Sequence, residues 1–238
     1  MKTATEIIQS AIERFGPTLV LSTSFQKGGM IVLDIAIRLD PSLRVITLDT
    51  GRLPEATFSM IESVRHRYGI NVELIYPDAD ETRRMVQLHG PNLFLKNVPS
   101  RLLCCNVRKV RPLQRSLLGV GAVMTGLRRD QSDSRETIEQ VDESATPVKI
   151  NPLAFWSSAE VDRYTSFHDL PVHPLFARGY TSIGCESCTR PTLPGEEERA
   201  GRWWWENEAV KECGLHITPD GRVKRAVDVM LSEIVQHG

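Results

Sequence analysis

The sequence predicts an α/β protein with a mostly parallel sheet flanked by helices, and three observations carry that prediction. Short apolar runs of strand length alternate with helical patterns of ten to fifteen residues, which is the signature of βαβ units. Three polar loops, 24–29, 49–53 and 126–135, each begin at the carboxyl end of such a run, where sheets of this kind bind ligands. After about residue 171 the periodicity dissolves into Pro, Gly and charges, as expected of an irregular tail folded over a core.

The elements follow in order. Thr3-x-x-Glu6 is a capping box opening a helix to about Phe15, stopped by Gly16-Pro17. Leu19 to Thr23 is a short buried-type strand, and Ser24-Phe-Gln-Lys-Gly28-Gly29 leads into a helix from Met30 to Leu39. Leu43 to Leu48 is the second strand, with a turn at Asp49-Thr-Gly51-Arg52. Pro54, favoured at a first helical position, starts a helix to about Tyr68. Val72 to Tyr76 and Ala122 to Thr125 are further strands. Arg101 to Arg111 is helical until Pro112, and Ser157-x-x-Glu160 caps a helix toward Phe167. Asp220-Gly221 reads as a turn, and Ala226 to Val235 as a short final helix.

With 238 residues the chain can bury a sizeable core. A formal net charge of −1 excludes the global basic field of a nucleic-acid binder. The apolar stretch Met30 to Leu39 is broken by Asp34 and Arg38, so no membrane span is expected. The first residues lack the basic-then-apolar pattern of a secretion leader. With an odd, sparse cysteine count, that points to a cytoplasmic setting in which thiols bind metal or react.

The five cysteines are grouped as an adjacent pair (Cys104, Cys105), a C-x-x-C (Cys185, Cys188) and a lone Cys213. Four thiolates satisfy an iron–sulfur cluster or a tetrahedral zinc, which leaves one thiol for chemistry. Neighbours on a helix point about 100° apart, so the adjacent pair suits two metals of one cluster better than one zinc, although C-x-x-C alone suits zinc equally well. Arg108 and Lys109 each lie four residues after a cysteine, and their charge would offset an anionic centre. Lys211 and His216 flank Cys213 and can stabilise its thiolate, the form that attacks. Gly195 and Gly201 bracket a charged run read as a hinge and lid. Trp203-Trp-Trp205 reads as a hydrophobic anchor with at least one ring buried.

Taken together these residues resemble the assimilatory adenylyl-sulfate (APS) reductases and their PAPS-reducing relatives, over about Val20 to His216. The resemblance rests on Cys104-Cys105 with Lys109, Cys185-Glu-Ser-Cys188-Thr-Arg190, Arg199 and Arg202 before the tryptophans, and Lys211-Glu-Cys-Gly-Leu-His216. Leu48-Asp-Thr-Gly-Arg52 resembles the family's nucleotide loop, and Gly126 to Arg135 its arginine loop. It implies a Rossmann-like, adenine nucleotide alpha-hydrolase-like fold. The ATP-splitting cousins carry Ser-Gly-Gly-x-Asp-Ser, from which Ser22 to Gly29 departs.

The resemblance further implies a nucleotide-binding reductase domain over 1–190 and a lid or tail over 191–238. It implies a [4Fe-4S] cluster on Cys104, Cys105, Cys185 and Cys188, and a catalytic set of Cys213, Lys109 and His216. Implied substrate contacts are Ser22, Ser24, Gly28, Leu48, Asp49, Thr50, Gly51, Arg52, Arg128, Arg129, Arg135, Arg199 and Arg202. The expected activity is thioredoxin-dependent reduction of APS to sulfite and AMP through an S-sulfocysteine on Cys213, in a cytoplasmic homo-oligomer. PAPS or dual specificity is the alternative. A nucleotide-dependent sulfurtransferase or ATP pyrophosphatase, and a zinc-stabilised binding module, are rivals.

Overall fold

A computed structural model describes residues 2–206 and 221–235. Its centre is a six-stranded sheet of order β3-β2-β1-β4-β6-β5. The strands are β1 (Leu19–Ser22), β2 (Arg44–Leu48), β3 (Val72–Ile75), β4 (Ala122–Met124), β5 (Val141–Asp142) and β6 (Val148–Ile150). All neighbours pair in parallel except β5 on β6. The chain runs outward from β1 to β3, then returns to add β4 on the other side of β1. That reversal is a topological switch point, and it leaves a crevice beyond the carboxyl ends of β1 and β4.

Helices α1 (Ala4–Phe15), α2 (Lys27–Leu39), α3 (Glu55–Tyr68) and α7 (Ser158–Phe167) share one core with the sheet. The capping boxes at Thr3 and Ser157 are both formed, each satisfying amides that a helix start leaves unpaired. Two expectations are corrected here, and one helix is added. Helix α2 begins at Lys27, three residues earlier than Met30, so that Gly28 and Gly29 lie in its first turn. Pro54 is the N-cap of α3 and not its first residue. Helix α4 (Ala79–His89) was not anticipated, although Asp78 caps it on Glu81 and Gly90 ends it.

The second core joins α4, α5 (Val98–Cys105), the turn after it, α8 (Gly221–Val235), Cys188 and Trp203. The helix carrying the cysteine pair does not stop at Pro112. It passes through a π-helical stretch, Asn106–Val110, into α6 (Arg111–Ser116). The Arg111 amide reaches back to the Asn106 carbonyl, and this widened turn accommodates a proline that has no amide to donate. Helix α8 starts at Gly221, five residues before the expected Ala226, and is not short. Asp220, the other half of the expected turn, lies outside the described residues. The hairpin of β5 and β6 is too short to show a period in sequence.

His173 is fully buried between α3 and the 3-10 helix Pro174–Arg178. It bonds Thr57 Oγ1 through Nε2 (3.0 Å) and accepts the Leu175 amide on Nδ1 (3.3 Å). Burial pushes its pKa down to about 4, from the ordinary 6.5. The unfolded chain therefore takes up a proton that the folded chain refuses between about pH 6.5 and 4, and stability falls as pH drops through that window. The loss at this one site should reach about 2 kcal/mol by about pH 5. Thermal unfolding against pH should show a shallower acid slope for His173→Gln; an equal slope would refute the assignment.

Candidate active site

The backbones of the two loops at the switch point touch. A Cβ on Gly28 would sit 2.6 Å from the Gly126 carbonyl oxygen, and one on Gly126 would sit 2.4 Å from Gly28 C and Gly29 N. Only glycine permits this approach. Phe25, fully buried, turns the chain at a left-handed φ of 55°, and its amide donates to Thr23 Oγ1 (3.0 Å). Lys27, though beside the loop, pairs with Asp162 (2.6 Å).

A cavity of about 1210 Å³ opens at this point. Of the expected substrate contacts, Ser22, Ser24, Gly28, Leu48, Thr50, Arg52, Arg135, Arg199 and Arg202 line it, as do Lys109 and all four of Cys104, Cys105, Cys185 and Cys188. Asp49, Gly51, Arg128 and Arg129 are absent from the wall and do other work. The Asp49 carboxylate accepts the Gly51 amide (2.8 Å) and closes the turn after β2, and Gly51 itself adopts a left-handed φ of 68°. Buried Arg128 donates to Asp130 (2.8 Å) and Ser158 (3.0 Å) and faces Glu198 at 3.6 Å. Arg129 donates to the Ile138 carbonyl and to Glu139, and lies over Phe155. Cys213, Lys211 and His216 lie outside the described residues.

The arginines that do face the cavity are anchored. Arg135 is buried and donates to Gln131 Oε1. Arg199 donates to Ser182 Oγ (3.5 Å), and Arg202 to the Ile183 carbonyl (3.1 Å) with its guanidinium over Trp203. Gly184 leaves room for Arg202: any Cβ there would be 2.3 Å from Arg202 Nη2. Gln26, which sequence reasoning missed, clamps the same segment by exchanging hydrogen bonds with both backbone groups of Ile183 (2.9 and 3.2 Å). Nothing in the local sequence distinguishes that glutamine, because its partner is 157 residues away.

All four thiols line the same cavity wall, together with Arg52, Arg108 and Arg202. Burial pushes Cys104 up to about 11, against the opposing pull of Arg108 and Arg52, with Cys185 adding to the rise. Burial, then Cys185, pushes Cys188 up to about 12, opposed by Arg202. Thr50 Oγ1 lies 3.2 Å from Cys185 Sγ. Arg108 donates to the Thr50 carbonyl (2.8 Å). Nε1 of Trp203 and Nε of Arg108 and Arg202 are buried with no hydrogen-bond partner. Buried donors that find no acceptor among the described residues, in the wall that carries the four cysteines, suit an anionic, thiolate-held centre. Among the described residues, no three His, Cys, Asp or Glu side chains are gathered closely enough to hold one metal ion. Trp203 is buried as expected of an anchor.

A mostly parallel sheet with a glycine-lined, arginine-walled cavity at its switch point defines an α/β enzyme of the adenine nucleotide alpha-hydrolase-like class. The family model described as phosphoadenosine phosphosulfate reductase domain matches residues 18–191. An adenosine 5'-phosphosulfate reductase of Burkholderia cepacia is 52% identical over 176 residues, 73% of this chain and 70% of the relative. Another of that name from Pseudomonas aeruginosa is 41% identical over 223 residues, covering 90% and 82%. The crystal structure of a phosphoadenylyl-sulfate (PAPS) reductase from Candida auris, a phosphate complex, superposes with a TM-score of 0.66 at 29% identity, covering 78% of this chain and 89% of that one. The chain belongs to the PAPS/APS reductase family and is an enzyme acting on a sulfur group. That membership overturns the reading as a zinc-stabilised binding module. No helix among the described residues is long and apolar enough to cross a membrane.

Proposed function

We propose that this enzyme reduces APS to sulfite and AMP, with thioredoxin as reductant, through a covalent intermediate on Cys213. The observation that carries the reading is the convergence on one cavity of the nucleotide-loop residues, three anchored arginines and four cysteines. Ser22, Ser24 and the first-turn amides of α2 near Gly28 hold the nucleotide end, where the helix dipole favours its anionic phosphate. Arg135, Arg199 and Arg202 face the phosphosulfate, since guanidinium forks match tetrahedral oxyanions.

The Cys213 thiolate attacks the sulfate sulfur. An S–S bond forms, the bond from sulfur to the bridging oxygen breaks, and AMP leaves with that electron pair. Charge moves onto the leaving phosphate, so the arginines and Lys109 stabilise the transition state more than the ground state. His216 tunes the Cys213 thiol. A thioredoxin thiolate then attacks Cys213 Sγ and expels sulfite, and its second thiol resolves the mixed disulfide. Cys104, Cys105, Cys185 and Cys188 would hold a [4Fe-4S] cluster, which when bound supplies a fixed electrostatic field beside the sulfate. Thiols of this kind suit a reducing cytoplasm, and a homo-oligomer is the expected assembly.

Anaerobically purified protein supplied with APS and reduced thioredoxin should yield AMP and sulfite in equal amounts. The names of the relatives favour APS, and kcat/KM for APS against PAPS measures the preference. Pyrophosphate released from ATP, without sulfite from APS, would overturn the reading in favour of a sulfurtransferase or ATP pyrophosphatase.

A further inference from the structure

Arg52 belongs to the nucleotide loop by its position in sequence and stands in the cavity wall, yet its guanidinium nitrogens are taken up by protein groups. Its Nη1 reaches Ser187 Oγ at 3.3 Å and Asn92 Oδ1 at 3.5 Å, and its Nη2 donates to the Pro91 carbonyl. The guanidinium plane lies over Phe94, 5.0 Å from the ring centroid. Its own carbonyl accepts the Glu186 amide at 2.9 Å. Two residues earlier, Thr50 Oγ1 meets Cys185 Sγ.

One short turn after β2 thus touches Cys185, Glu186 and Ser187 in succession. The same turn is gripped from the other side by Arg108, which follows the cysteine pair and donates to the Thr50 carbonyl. Residues 50–52 therefore bracket both cysteine pairs, which otherwise lie some 80 residues apart in sequence. With Nη1 and Nη2 both bonded to protein and one face stacked, the side chain is spent on architecture.

We propose that Arg52 is a positioning residue that fixes the Cys185–Cys188 turn against the Cys104–Cys105 helix, and not a contact to the nucleotide. The inference rests on the reading that these four cysteines hold an iron–sulfur cluster. Outer partners that orient ligands commonly control metal retention by 10–100-fold. A lysine keeps the charge but cannot reproduce the fork or the stacking.

The test compares anaerobically purified wild type, Arg52→Lys, Arg52→Ala and Ser187→Ala. Iron and sulfide per chain are measured, with the rate at which visible absorption bleaches under a ferrous chelator. The expected order of bleaching is Arg52→Ala fastest, then Arg52→Lys, then Ser187→Ala, with Arg52→Ala at least about tenfold faster than wild type. Although Arg52 stands in the cavity wall, the KM for APS of the iron-loaded fraction should stay within about twofold, because both Nη atoms are committed to Ser187, Asn92 and Pro91. Ser187→Ala removes only one acceptor, so it reads the same bracket should Arg52→Ala fail to fold. Unaltered iron content and bleaching in every variant, with a KM for APS raised about tenfold at constant kcat, would overturn the proposal and make Arg52 a substrate contact. Wild-type protein without iron would instead overturn the cluster reading on which the proposal stands.

Discussion

Cys213→Ser is expected to bind APS and retain iron, yet release no sulfite. Of the five cysteines, the other four line the cavity wall and on the proposed reading are held by the cluster, which leaves Cys213 as the thiol free to attack. A serine hydroxyl stays protonated at neutral pH and attacks sulfur poorly, whereas a thiolate is both charged and polarizable. The loss in kcat should be at least about 10³-fold, as for removal of other covalent nucleophiles. Incubation with APS but no reductant gives a second readout. The wild-type peptide spanning Lys211 to His216 should gain the mass of a sulfonate, and the variant peptide should not. Turnover by Cys213→Ser with thioredoxin would sink the covalent mechanism, whatever the state of the metal.

The largest expected effect on stability lies at Arg101. Its side chain is fully buried on α5, bonded twice to Glu206 (2.9 Å each) and stacked on Trp203 at 4.5 Å. Glu206 is itself buried. Replacing Arg101 strands the Glu206 carboxylate where water cannot reach it, at a cost of about 3–5 kcal/mol. For a chain of this size Arg101→Met should lower Tm by roughly 10 °C. Arg101→Met combined with Glu206→Leu should recover most of the loss, because the desolvation of both charges disappears together. Anaerobic thermal unfolding of the three proteins tests this. A single variant as stable as wild type would show that the pair is not buried in solution. The pair also ties Glu206 to the helix that carries the cysteine pair, so Glu206→Ala should speed iron loss as well.

Much of the architecture was legible because its signals are local. The capping boxes at Thr3 and Ser157 name helix starts through residues three apart, and the apolar runs of β1, β2 and β3 are bounded by turn residues. Helix α4 was legible in principle from Asp78 and Gly90 but carries little apolar periodicity, because only Glu81 and Met85 are buried along it. Pro112 misled, since a proline stops an α-helix only where the hydrogen-bond register is fixed, and the π stretch moves it. The hairpin of β5 and β6 is specified by pairing across the sheet edge and not by its few residues.

The chemistry divides along the same line. The residue types, namely the cysteine grouping, the arginine-rich loop and the Lys-Glu-Cys-Gly-Leu-His run, determined by themselves the family and the class of reaction, because chemistry depends on which groups are present. Which arginine does what was decided only by tertiary structure. Arg128, Arg129 and Arg135 are equivalent in the sequence, but Arg135 lines the cavity while Arg128 and Arg129 hold neighbouring segments. A guanidinium is drawn to whichever acceptors the fold brings within reach, near ones such as Asp130 and Ile138 as well as distant ones such as Ser158, and residue type alone does not choose among them.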